Sequence, residues 1–209
     1  MTAGPADDVM VEGVTVGGSS SDKSKTEKLI SPAEALGMMP PGLRFHFLDE
    51  IVEIDDTHVV ARYRFREDEY FYEGHFPERG ITPGTILLEA MCQCGVTVHS
   101  NYLLAREMSI EQARQYRILF TGAQVEWFEQ TGPNSRITLR SELLAWRRQR
   151  IRSRVRVLDE ENRLVAESEI SGYAVLLCRD SSGKNGANFP DEEFRIVENK
   201  HDHLGRNKT

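Results

Sequence analysis

The chain has 209 residues, 39% of them hydrophobic, and a formal net charge of −7. That length and apolar content fit one globular domain with extensions and leave little room for two. The acidic balance argues against a nucleic-acid binder, and no run of about 18 apolar residues is present to cross a membrane.

Residues 1–28 are rich in Gly, Ser, Asp and Lys without periodicity and are expected to form a disordered arm. They contain no apolar leader core, and the cysteines (Cys92, Cys94, Cys178) are odd in number, so a reducing, cytoplasmic setting is expected. Cys92 and Cys94 lie two apart, and on a helix they would point to nearly opposite sides, which disfavours a disulfide. In SPAEALG (31–37), Ser31 can cap a helix, Pro32 suits its first position and Gly37 its end. The runs 43–55 and 57–65 are rich in aromatic and β-branched residues and read as two strands joined at Asp55-Asp56.

Residues 70–95 read YFYEGHFPERGITPGTILLEAMCQCG. Thr82 is a candidate helix cap, Pro83 fits the first turn, and Gly84 lets a ligand approach the backbone. From Ile86 to about Leu104 the pattern is apolar on most sides, as in a buried helix. A short helical patch at 109–116 follows, then strand candidates at 117–128, 135–146, 149–158 and 163–177, with turns at 131–135 and 159–162. One buried helix needs cover on several sides, and a curved antiparallel sheet supplies it. The expected class is α+β: a domain over 29–178 with a long central helix wrapped by the sheet. The tail 179–209 is polar and reads as irregular.

Glu89 interrupts the apolar helix. A carboxylate is rarely buried without a partner, so one is required, and an active-site role competes with a structural one. Gln93 lies one turn on and can hydrogen-bond it. The free N–H of Gly84 at the helix start can polarise a thioester carbonyl. His75, between Gly74 and Phe76-Pro77, is a loop residue that can take a proton beside a carbonyl. Together these groups suit elimination of water from a 3-hydroxyacyl thioester, or its reverse.

The segment resembles the signature of the 3-hydroxyacyl-(acyl-carrier-protein) dehydratases of the hotdog fold, FabZ type. Gly74, His75, Phe76 and Pro77 match, then Pro83 and Gly84, then Glu89, Ala90, Met91 and Gln93. The resemblance implies a hotdog fold over about 30–177. It also implies conversion of a (3R)-3-hydroxyacyl thioester to the trans-2-enoyl product, in fatty-acid or polyketide-type synthesis. His75 and Glu89 would be catalytic, contributed by different subunits of a homodimer, with a trimer of dimers left open. Gly84 would bind the thioester carbonyl, and Gln93, Phe76 and Pro83 would complete the substrate-binding segment. No cofactor is implied, because phosphopantetheine arrives with the substrate, on acyl carrier protein or CoA. No nucleic-acid or membrane partner is implied. Glu rather than Asp at position 89 resembles the plain dehydratase, not its isomerising relative. The chain departs from the pattern at Gly80, where the family has Pro, at Thr82, and in VEWFEQTGPNS (125–135). The rivals are a hotdog thioesterase, in which Glu89 would activate water, and a non-catalytic acyl-binding hotdog protein.

Two weaker features remain. In WRRQRIRSRVRV, Arg148, Arg150, Arg152, Arg154 and Arg156 alternate on one strand face. They read as a ladder with Glu142, Glu167 and Glu169, and alternatively as a docking patch for an acidic carrier protein. His201 and His203 in the tail lack the further ligands a metal site needs.

Overall fold

The computed structural model describes residues 30–40, 42–179 and 185–187. The expected arm, His201 and His203 lie outside them. Six strands form an antiparallel sheet in the order β1-β2-β4-β5-β6-β3: β1 (Glu50–Ile54), β2 (His58–Arg64), β3 (Tyr116–Trp127), β4 (Arg136–Arg147), β5 (Arg150–Leu158) and β6 (Leu164–Arg179). Within the tail expected to be irregular, Asn185–Ala187 form β7, paired to the end of β6. The alternation sends Ile137, Leu139 and Ser141 of β4 inward, with Ile151, Ser153 and Val155 of β5 and Ala166, Ser168 and Ile170 of β6.

The inward face wraps one continuous helix. It runs as α2 (Gly84–Cys92), a π-helical stretch (Gln93–Val98) and α3 (His99–Glu107). Leu87, Ala90, Cys92, Cys94 and Val96 are buried around its circumference, as the apolar pattern requires. The π stretch is where helix and sheet come closest. A Cβ on Gly95 would lie 2.4 Å from Val155 Cγ2, and Ser153 Oγ donates to the Gly95 carbonyl at 2.7 Å. Widened turns of this kind interrupt the regular i→i−4 ladder, and the Ser153 hydroxyl serves the backbone there. Cys92 and Cys94 are buried and free.

Short helices precede and follow. α1 (Pro32–Leu36) has the expected Ser31 cap, with Glu34 closing a capping box, and α4 (Ile110–Ala113) repeats the device with Ser109 and Gln112. Among the described residues, no helix is long and apolar enough to cross a membrane.

Three expectations need correction. The run 43–55 is strand only at Glu50–Ile54, because a helical turn (Leu43–Phe45) precedes it and a glutamine side chain takes the Phe45 carbonyl and Phe47 N–H. Thr82 does not cap the central helix. Pro83 holds that position, while the Thr82 hydroxyl pairs with Tyr72 Oη at 2.7 Å and its N–H donates to the Thr131 carbonyl at 2.8 Å. Arg148 is not on the arginine face. It shares with Gln149 a two-residue turn with φ of 52° and 58°, the twist that a tight β4–β5 hairpin demands. The rest of the face is a ladder in part: Arg154 meets Glu169 at 2.7 Å and Arg156 meets Glu167 at 2.5 Å.

Among the described residues β3 is an edge strand, twelve residues long, and none of its residues is buried. Phe120 and Trp127 are about half exposed upon it. Long apolar edge strands are normally covered or paired.

Candidate active site

Gln93 is the hub of the site. Its side chain is 97% buried, and both ends are used. Oε1 accepts from Phe47 N at 2.8 Å, while Nε2 donates to the Phe45 carbonyl at 2.7 Å and to Glu89 Oε1 at 2.9 Å. The expected Gln93–Glu89 bond is therefore present, and the same amide ties the helix to the segment leading into β1. Glu89 is half-buried, one oxygen fixed by Gln93, at a cavity of about 290 Å³. The other walls come from Met38, Met39, Phe45 and His46 and from the start of β3. Beside Glu89 the Cys92 thiol is buried, and burial with the neighbouring carboxylate pushes it up to about 12, far from thiolate chemistry.

His75 sits on a loop fastened at both ends. Its N–H donates to the Phe71 carbonyl at 3.1 Å, and Phe71 packs edge-on against Phe47 and Phe65 in the core. Arg79 N and Gly80 N both donate to the Phe76 carbonyl. Phe76 is held at φ 48°, a left-handed conformation that a bulky residue adopts at roughly 1–2 kcal/mol, and such strain gathers at functional loops. His75 Nδ1 lies 3.0 Å from the Ile81 carbonyl. A carbonyl can only accept, so Nδ1 carries the proton and Nε2 is the basic nitrogen.

Within one chain no contact joins His75 to Glu89 among the described residues. His75 contacts Ile81 and Phe76, and it is absent from the cavity that Glu89 lines. Phe76 is 59% exposed, and neither it nor Pro83 lines that cavity.

Gly84 starts the helix as expected. Trp127, not singled out from the sequence, lies against it: a Cβ at position 84 would be 2.9 Å from the indole Nε1. The departures from the family pattern pack on one another here. Gly80 has φ 56°, which Pro cannot adopt, and it meets Pro133 of the turn at 131–135, whose Thr131 holds Thr82. Their clustering in space has no sequence signal. Thr97 and Asn101 were also missed, yet 89, 93, 97 and 101 follow a four-residue spacing that puts polar groups on one helix face.

The cavity-lining carboxylate held by an amide, the histidine with one basic nitrogen and the helix start without a side-chain cap are groups of the kind that general acid–base chemistry uses. A family model described as a FabA-like domain matches residues 39–169. The chain is 27% identical over 109 residues to the bifunctional enzyme LpxC/FabZ of Bacteroides thetaiotaomicron, covering 52% of this chain and 22% of that protein. It is 33% identical over 70 residues to a 3-hydroxyacyl-(acyl-carrier-protein) dehydratase FabZ of Clostridium botulinum, 33% of this chain and 49% of the relative. A FabZ of Lactococcus lactis subsp. cremoris is 24% identical over 120 residues, 57% of this chain and 78% of the relative. The chain thus spans about a fifth and about a half of the first two relatives. Among solved structures, the dehydratase heterocomplex from Xenorhabdus doucetiae superposes with TM-score 0.56 at 14% identity, covering 74% of this chain and 95% of that one. A thioesterase from Haemophilus influenzae gives TM-score 0.53 at 12% identity, covering 72% and 94%. Both share the central helix wrapped by a sheet, and with the family model spanning most of the described residues, the chain belongs to the FabA-like family of the hotdog fold.

Proposed function

We propose that the protein is a dehydratase that converts a (3R)-3-hydroxyacyl thioester, carried on acyl carrier protein or CoA, to the trans-2-enoyl thioester. The observation that carries this reading is the pairing of two differently prepared groups in one motif. His75 has a basic Nε2 on a fastened loop, and Glu89 is a cavity carboxylate oriented by Gln93. Nε2 takes the proton from C2, the C2–H electrons form the C2=C3 bond, and the C3–O bond breaks. Glu89, entering as the carboxylic acid, protonates the departing hydroxyl, which leaves as water. The amide at Gly84 hydrogen-bonds the thioester oxygen as negative charge builds on it, in the manner of an oxyanion hole. The phosphopantetheine arm belongs to the substrate.

The working unit in this reading is a homodimer. The long exposed edge of β3 offers a surface for a second copy, and His75 is not among the residues lining the Glu89 cavity of its own chain. A C2 pair would then form two equivalent sites, each with His75 from one protomer and Glu89 from its partner.

The thioesterase reading makes a different product. Incubation with crotonyl pantetheine separates the two, with enoyl absorbance and free thiol followed together. Hydration, the reverse reaction, removes absorbance and releases no thiol. Thiol release at the rate of absorbance loss, or before it, would replace the dehydratase reading with hydrolysis.

A further inference from the structure

The Glu89 cavity does not end in a greasy wall. Thr97 and Asn101 follow Glu89 and Gln93 along the same helix face and line the same cavity. Gln93 has its hydrogen-bonding groups committed, whereas neither Thr97 nor Asn101 makes a side-chain hydrogen bond among the described residues. Asn101 is 96% buried. A buried amide that lines a cavity without a partner among the described residues is a poor neighbour for a methyl-ended chain, because an apolar occupant would strip its water and return nothing. Arg117, at the start of β3, lines the same cavity. One of its terminal nitrogens donates to the Arg114 and Tyr116 carbonyls, and its charge faces no carboxylate in an ion pair among the described residues. Of the described residues lining the cavity, Glu89 alone is acidic, and Gln93 holds it.

We propose that this cavity selects acyl chains whose far end carries a carboxylate, with Arg117 supplying the charge and Thr97 and Asn101 the hydrogen bonds. The inference rests on the dehydratase reading of the same site and names its substrate class. Guanidinium and amide donors lining one cavity match a carboxylate, which accepts several hydrogen bonds and needs a positive charge. The rise of about 1.5 Å per residue puts Thr97 about 12 Å and Asn101 about 18 Å along the helix from Glu89. An extended alkyl chain zigzags and advances about 1.3 Å per carbon, so that span takes roughly nine to fourteen carbons beyond C3.

The test compares 3-hydroxydodecanoyl pantetheine with the same thioester carrying a carboxylate in place of its terminal methyl. The wild-type protein should turn over the carboxylate-ended substrate with kcat/KM at least about 10-fold higher, since sites built to hydrogen-bond a group reject analogues lacking it. Arg117→Met should reduce that ratio about 10-fold, and Asn101→Leu should reduce it as well. Arg117 is exposed in a single chain but lies on β3, so the assembly of Arg117→Met is checked by sedimentation, and the variant then keeps the question decidable if Asn101→Leu fails to fold. A wild-type protein that prefers the methyl-ended chain, or treats both alike, overturns the proposal. If 3-hydroxybutyryl pantetheine and both long substrates all go unconverted, the dehydratase reading is what fails. Calorimetric binding of the corresponding saturated thioesters then decides the selectivity alone. Tighter binding of the carboxylate-ended compound that Arg117→Met abolishes supports it, and equal binding overturns it.

Discussion

Replacing Gln93 with leucine keeps the side-chain volume and removes three hydrogen bonds. The Phe47 N–H belongs to a residue with no exposed surface, so water cannot replace its lost acceptor. A buried donor left unpaired costs about 1–3 kcal/mol. The Phe45 carbonyl belongs to a residue about half exposed, so its loss is smaller, near the ordinary net value of about 1 kcal/mol. The expected destabilisation is therefore about 2–4 kcal/mol, a large share of the 5–15 kcal/mol typical of a domain. The third bond is the one to Glu89, and losing it frees the carboxylate to rotate. Misplacement of a reacting group by about 1 Å can lower a rate about 10²-fold. Urea unfolding and kcat/KM on a short enoyl thioester measure the two effects separately. Glu89→Gln is the control: its amide oxygen still accepts from Gln93, so stability should shift by less than about 1 kcal/mol while activity collapses. If Gln93→Leu unfolds at the wild-type midpoint, the glutamine does not brace helix against strand as described. If it also keeps the wild-type rate, Glu89 does not depend on it for orientation.

Further outcomes follow from other parts of the fold. Gly84→Ala places a Cβ against the Trp127 indole and should lower kcat/KM at least about 10-fold; Trp127→Ala in the same chain should restore part of it, and strictly additive losses would exclude the clash. Burial lowers the His99 imidazole from 6.5 to about 4, with its Nε2 on the Asp55 carbonyl. The unfolded chain then binds a proton that the folded chain refuses, so stability is full above pH 6.5 and falls as pH drops towards 4. The loss approaches about 3 kcal/mol at 1.36 kcal/mol per pH unit. His99→Gln should flatten that window in urea titrations, and an unchanged slope would assign the pH dependence elsewhere. A double-mutant cycle on Arg154 and Glu169 should give a coupling of about 0.2–1 kcal/mol that shrinks with salt. Arg154→Glu with Arg156→Glu should slow carrier-linked and pantetheine substrates equally, and a loss confined to the carrier-linked one would make the face a docking patch instead.

Much of this was legible in the chain. The β4–β6 strands alternate cleanly because one face meets the helix and the other meets solvent, and the Ser31 cap carries its own local signal. The helix from Gly84 onward reads as buried because most of its circumference is apolar, and the Glu89–Gln93 bond follows from helical spacing alone. What stayed hidden depends on distant partners. Residues 43–49 look like a strand, but Gln93 claims two of their backbone groups from 46 and 48 positions away. Thr82 has the chemistry of a cap and spends it on Tyr72. The π stretch lies where Gly95 is pressed against β4 and β5, an approach that no local pattern records. Trp127 reaches Gly84 only through the path of β3 and the turn that follows it.

The proposed mechanism stands on a site shared between two protomers, and mixing two inactive proteins tests it. His75→Ala and Glu89→Gln should each lose roughly 10²–10⁴-fold in hydratase activity while keeping the fold. After subunit exchange, half of the dimers in an equal mixture are hybrids, and each hybrid has one site with both wild-type groups. Activity should therefore return to about a quarter of the wild-type rate. Verified hybrids that stay as inactive as either parent would contradict a site built from His75 of one protomer and Glu89 of its partner.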